Sequence, residues 1–138
     1  TLFRSMGNLQ SGGHTIEVKS GKIHITHNIV SSGGNTYFES NATVSNNTYY
    51  HVVLTWNQST GKASLYINGA LDTTVTLATT YKFPTILRYS FGADLGDSSP
   101  YLESSSKCYK GTILFGRLYD AVLTATDVSA LYSVATNP

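Results

Sequence analysis

Residues 49–77 constrain what this chain can fold into more than any other stretch. Three runs there alternate apolar and polar side chains. Val52, Leu54 and Trp56 point one way and Val53 and Thr55 the other. Ala63, Leu65 and Ile67 make a second apolar row, and Leu71, Val75 and Leu77, with Thr73 between them, make a third. A period of two puts successive side chains on opposite faces of a pleat, so each run predicts a half-buried strand. The breaks between runs have a mechanism. Asn68-Gly69 supplies two residues that tolerate positive φ, as a type I′ hairpin turn demands. Gln58-Ser59-Thr60-Gly61 supplies the longer turn before Lys62. The stretch is an antiparallel meander whose inner face, with Leu54 and Trp56 in it, anchors the core.

The remainder of the chain is punctuated in the same way. Residues 1–6, 14–19, 22–27, 36–44, 86–91 and 111–119 predict further strands, with Ile16 and Val18 facing Ile23 and Ile25 across a turn at Ser20-Gly21. Residues 93–110 form a long Gly/Ser-rich loop. Many short strands without βα alternation mean a sandwich or jelly roll rather than a parallel α/β sheet. One helix is signalled, near the end. Thr124 and Asp127 are spaced as a capping box, and Val128, Leu131 and Tyr132 then share one helical face. That predicts a helix of two to three turns docked on the sheet.

Some residues carry a family signature. An aromatic-His-Val-x-Leu-Thr-aromatic run, then Ser-Thr-Gly-Lys, then Leu-Tyr-Ile-Asn-Gly, resembles the central motif of the laminin-G-like branch of the concanavalin A-like lectin/glucanase superfamily. The matching positions are His51, Thr55, Trp56, Gly61, Tyr66, Asn68 and Gly69. The resemblance returns at Phe91-Gly92-Ala93-Asp94 and at Gly111-Thr112-Ile113. It continues through Arg117-Leu118-Tyr119-Asp120, Leu123-Thr124, Asp127-Val128 and Leu131-Tyr132. It implies an all-β fold: an antiparallel β-sandwich (a concanavalin A-like jelly roll) with one short C-terminal helix, as a single domain over residues 1–138. Two departures stand out. Leu114 and Phe115 occupy positions where the family usually has acids. Thr1-Leu2-Phe3 resembles the family's third strand or so, which implies a sandwich incomplete at its N-terminus and a gap open to a donated strand. The donor expected is either a fragment of the same precursor or a neighbouring subunit.

Composition narrows the function. Only 12% of the 138 residues are charged and the net charge is +1, so no long-range field favours nucleic acid or an anionic membrane. No apolar run reaches the ~20 residues of a membrane-spanning helix. Ser, Thr and ten Tyr fill polar positions, as in extracellular or cell-surface β modules. Cys108 stands alone: it is a small idle thiol or a partner for another chain.

Catalysis on this fold needs two neighbouring carboxylates, and Glu17, Glu39, Asp72 and Glu103 are scattered singly. Asp94 and Asp97, with carbonyls of their loop, are the best oxygen donors for calcium; solvated loop acids are the plain alternative. His24 and His27, three apart on one strand, point to opposite faces and do not ligate together. Sugar sites combine an aromatic platform with hydrogen-bonding side chains. Tyr101 and Tyr109 with Asp94 and Asp97 make one such set, and Tyr49 and Tyr50 with Asn46 and Asn47 another. The ordinary β-propensity of Tyr is the rival explanation. Asn41, Asn46 and Asn57 each begin an N-glycosylation sequon. The expectation is a non-catalytic extracellular recognition module that binds a glycan or an extracellular protein, as in cell adhesion. The alternatives are a structural subunit of an assembly completed by strands from another chain, and a remnant glycoside hydrolase.

Overall fold

Ser20 and Gly21 both take left-handed backbone angles, φ 52° and 73°, and the chain reverses there. In the computed structural model, which describes residues 13–28, 35–77, 79, 109 and 111–136, this turn joins β1 (Gly13–Lys19) to β2 (Lys22–Asn28). β3 (Asn35–Glu39) pairs on the other side of β2, giving an antiparallel sheet in the order β1-β2-β3. Ile16 lies opposite Ile25 and Val18 opposite Ile23, as the alternation predicts, and Phe38 joins Ile25 from β3. Ile23, Ile25 and His27 are buried on that face. His24 is on the reverse face, so the two histidines do diverge. The predicted strands at 1–6 and 86–91 and most of the 93–110 loop lie outside the described residues.

The chain divides into two compact units, and this sheet belongs to the one made of Thr1–Glu39 and Thr80–Gly116. The other, Ser40–Thr79 with Arg117–Pro138, holds the meander: β4 (Val52–Asn57), β5 (Lys62–Ile67) and β6 (Ala70–Thr76), in that order and antiparallel. Val52, Leu54 and Trp56 pair with Ile67, Leu65 and Ala63, which puts the first two apolar rows on one face. Burial centres on β5, whose residues 63 to 67 are all buried, Leu65 completely. Leu54 and Trp56, expected in the core, are only half-buried. They sit on a strand beside the central one, which has neighbours on both sides.

The third apolar row is broken. Leu65 pairs with Thr73 but Tyr66 with Leu71, so Asp72 is an extra residue, a β-bulge. One inserted residue inverts every side chain on the far side of it. Leu71 is therefore on the face opposite Thr73 and Val75, and 57% exposed. On that same face a row of hydroxyls crosses the sheet. Thr55 Oγ1 donates to the Ser64 carbonyl at 3.5 Å, and the Ser64 and Thr74 hydroxyls are 3.1 Å apart.

Helix α1 (Ala125–Thr136) is just over three turns long. Its start is the expected capping box: Asp127 N donates to Thr124 Oγ1 at 3.2 Å and Thr124 N to Asp127 Oδ2 at 2.8 Å. The Thr124 hydroxyl also donates to that carboxylate, at 2.7 Å. Val128 is fully buried. Tyr132 settles against the β5–β6 turn, where Asn68 and Gly69 have φ of 52° and 78°. A Cβ on Gly69 would stand 2.9 Å from the Tyr132 Cβ, so both the turn and the helix need glycine here. Residues 111–119, predicted as the last long strand, carry no strand. Their apolar residues come in adjacent runs, Ile113-Leu114-Phe115 and Leu118-Tyr119, around Gly116, and this breaks a period of two. Leu114 and Leu118 are 68% and 54% exposed.

Candidate functional site

The bulge has a use. Asp72 faces the loop of residues 40–50 and ties down its start. Its carboxylate accepts from Asn41 N at 2.7 Å and from Ala42 N at 2.8 Å, one on each oxygen, and from the Thr73 hydroxyl at 2.7 Å. Its carbonyl accepts from Asn41 Nδ2 at 2.8 Å. Two successive backbone N–H groups that could have continued a ladder are thereby drawn to a side chain. The strand predicted over 36–44 accordingly stops at Glu39.

Further along, Ser40 Oγ donates to the Ala42 carbonyl at 2.6 Å, and Ser45 N donates to Tyr50 Oη at 3.0 Å. Val44 is buried beneath, and Asn47 turns the chain at φ 58°. Thr48 Oγ1 donates to the Asn46 carbonyl at 3.4 Å. What this held loop presents is Asn46, exposed, and Tyr49, 69% exposed. An aromatic ring and an amide on a fixed loop offer a C–H platform and hydrogen bonds, and ordering the loop beforehand reduces the entropy lost on binding.

The other predicted site residues fare differently. Asp94, Asp97 and Tyr101 lie outside the described residues. Tyr109 is half-buried, and a Cβ on Gly111 would fall 2.5 Å from its Cζ, so the phenol end of its ring lies close against Gly111. Of the sequons, Asn41 has Nδ2 on Asp72. Asn57 Oδ1 accepts from Ser59 N, Ser59 Oγ and Thr60 N at 3.0, 2.7 and 3.3 Å, an Asx-turn. Asp72 and Tyr50 were not singled out as positioning residues. The bulge leaves no trace in the alternation, and the Asn41–Asp72 pair joins distant segments.

Sequence reasoning also missed a row across the first sheet. Glu17 and Glu39 both stand opposite His24. His24 Nδ1 is 3.3 Å from Glu17 Oε1, and its ring stacks on Tyr37 with centroids 5.6 Å apart. Tyr37 is 66% exposed. His27, on the opposite face of β2, is held below the usual imidazole range by burial.

A motif built on His51, Gly61, Asn68-Gly69 and a capped helix bearing Tyr132 is thus assembled in one unit. A family model described as the concanavalin A-like lectin/glucanases superfamily, of laminin G type, matches residues 2–129. The chain belongs to that family. Its fold class is the antiparallel all-β one, with a single short C-terminal helix among the described residues. No curated protein matches it. Among solved structures it is similar to an S-layer domain-containing protein from Clostridium thermocellum, at 23% identity and a TM-score of 0.48. That match covers 86% of this chain and 55% of the other, so this laminin-G-like chain spans about half of the solved one. Among the described residues no helix is long and apolar enough to cross a membrane, and no three His, Cys, Asp or Glu side chains are grouped to hold a metal.

Proposed function

We propose that this laminin-G-like chain is an extracellular, non-catalytic recognition module that contacts carbohydrate through Tyr49 and Asn46. The observation that carries this reading is the loop of residues 40–50, fixed by Asp72 at one end and by Tyr50 Oη further along, with an exposed aromatic ring at its surface. Family membership supports the extracellular setting. The carboxylates speak for recognition rather than hydrolysis. Glu17 and Glu39 are two strand spacings apart, roughly 9–10 Å, against about 5–5.5 Å for a retaining glycosidase. An inverting pair needs a water between its acids, and there the His24 ring intervenes. Asp72 is committed to the loop. Calcium at Asp94 and Asp97 and glycans on Asn41 or Asn57 belong to the same reading, whereas a glycan on Asn46 would occupy the amide that contacts the ligand and leave Tyr49 to act alone. Calcium titration followed by calorimetry, and mass mapping after secretion from a eukaryotic host, check them.

A glycan array probed with the natural sequence and with Tyr49→Ala tests the main proposal. Saturable, competable binding that Tyr49→Ala abolishes, with the melting temperature unchanged, is the expected result. Absence of binding by the natural sequence sinks it. A second reading, a structural unit completed by another chain's strand, is favoured by residues 112–119, which carry no strand and expose Leu114 and Leu118. On that reading the chain alone is poorly soluble and gains stability from a donor strand. A soluble, cooperatively melting monomer in sedimentation and thermal scans excludes it.

A further inference from the structure

The contact between α1 and the β5–β6 turn is built around an imidazole. The His51 backbone is held twice by one residue: His51 N donates to Asn68 Oδ1 at 3.0 Å, and Asn68 N donates to the His51 carbonyl at 2.8 Å. The ring lies against Tyr132, with centroids 5.8 Å apart and planes tilted by 34°. Tyr132 in turn abuts Gly69. Past the fully buried Val128, the helix therefore meets the β5–β6 turn through a tyrosine set between a histidine ring and a glycine.

His51 Nδ1 is buried in this contact and has no hydrogen-bond partner. A neutral imidazole can leave one nitrogen bare at modest cost. An imidazolium would have to place an N–H and part of a positive charge there without an acceptor. The neighbouring elements offer little to compensate. On α1 the one charged side chain is Asp127, in the first turn and engaged with Thr124. β4 has none. β5 has Lys62, at its other end, and β6 has Asp72, which is bonded to the 40–50 loop. Tyr49 and Tyr50 precede His51, and the phenol oxygen of Tyr50 accepts from Ser45. Among the described residues none of these groups bonds the His51 ring.

We propose that neutral His51 latches α1 onto the β5–β6 turn and that acidification releases the helix while the sheet β4–β6 stays folded. Burial holds the imidazole below its usual range, which agrees in sign. The folded state binds fewer protons than the unfolded one. The stabilisation is therefore present above the unfolded value of about 6.5 and is lost as pH falls through the lower folded one. The latch needs no ligand and does not depend on what the 40–50 loop binds.

Backbone amide exchange on the full chain, between about pH 7.5 and pH 5 and corrected for the intrinsic rate, reads the release directly. The expected result is a loss of protection across α1 on the acid side while the β5 amides keep theirs. His51→Phe retains a ring for Tyr132 and has nothing to titrate, so its α1 protection should not change with pH. His51→Gln should give the same flat profile, and it serves if the Phe variant does not fold. Three results overturn the latch: α1 protection in the natural sequence that is flat with pH, an acid loss equally large in the neutral variant, or α1 and β5 opening in step. The last would assign the acid response to whole-chain unfolding, to which the buried His27 also contributes.

Discussion

Removing the Asp72 carboxylate should free the 40–50 loop. In Asp72→Ala the N–H groups of Asn41 and Ala42 lose their acceptor, and so does the Thr73 hydroxyl. Bonds to a charged acceptor contribute up to about 1.5–3 kcal/mol each, but these groups are reachable by water, so about 1 kcal/mol for each N–H is the better figure. The hydroxyl finds water at almost no cost. The expected loss is about 2 kcal/mol, read from the midpoint of urea unfolding at unchanged slope. Asp72→Asn should do little better. One amide oxygen can serve one N–H, but the NH2 then faces the other, donor against donor. Amide exchange at Asn41 and Ala42 gives the local signal, because both lose protection if Asp72 holds them. A loss under about 0.5 kcal/mol, within the range of ordinary surface changes, with both amides still protected would refute the reasoning. It would mean that Val44 and Tyr50 fix the loop by themselves.

Leu65→Ala, at a completely buried position, should lose about 2–5 kcal/mol. Leu54→Ala, half-buried on the flanking strand, should lose clearly less, and equal losses in denaturant titration would contradict this ordering of the strands. Gly69→Val forces a β-branched residue to positive φ, at roughly 1–2 kcal/mol, and also displaces Tyr132. Its lowered melting temperature should come with early loss of helical circular dichroism. The Thr124 hydroxyl and then the Thr124 N–H hold the Asp127 carboxyl below its usual range. That contribution is present above the unfolded value of about 3.9 and is lost as pH falls through the folded one. Helix content should therefore show a step at the acid end of a pH titration, below the His51 transition, and that carboxylate step should be absent in Asp127→Ala.

Hairpins and the helix cap were legible because each depends on residues a few positions apart. Ser20-Gly21 and Asn68-Gly69 declare their turns, and Thr124 with Asp127 declares the helix start. The pairing of Leu54 with Leu65 follows from the turn between them. What stayed hidden depends on distant contacts. Alternation at residues 71, 73, 75 and 77 is unbroken in the sequence, yet Asp72 bulges because Asn41 and Ala42 come to it from another part of the chain. The same contact explains why the strand expected to continue to Val44 ends five residues sooner. Tyr109 illustrates the ambiguity of aromatic residues: its ring lies against Gly111, whereas Tyr49, identical in chemistry, is presented outward. Nothing local distinguishes the two.

The placement of Tyr132 against Gly69 and His51 also sets an order of events in folding. β4, β5 and β6 are joined by short turns and close at small entropic cost. The helix can reach its seat only after the long intervening stretch has been looped back, and the seat does not exist until the Asn68-Gly69 turn has formed. α1 should then add late, after the rate-limiting step. Truncating Tyr132 to Ala should accordingly speed unfolding and leave the refolding rate nearly as it was. In a chevron plot the unfolding limb should rise while the refolding limb stays in place.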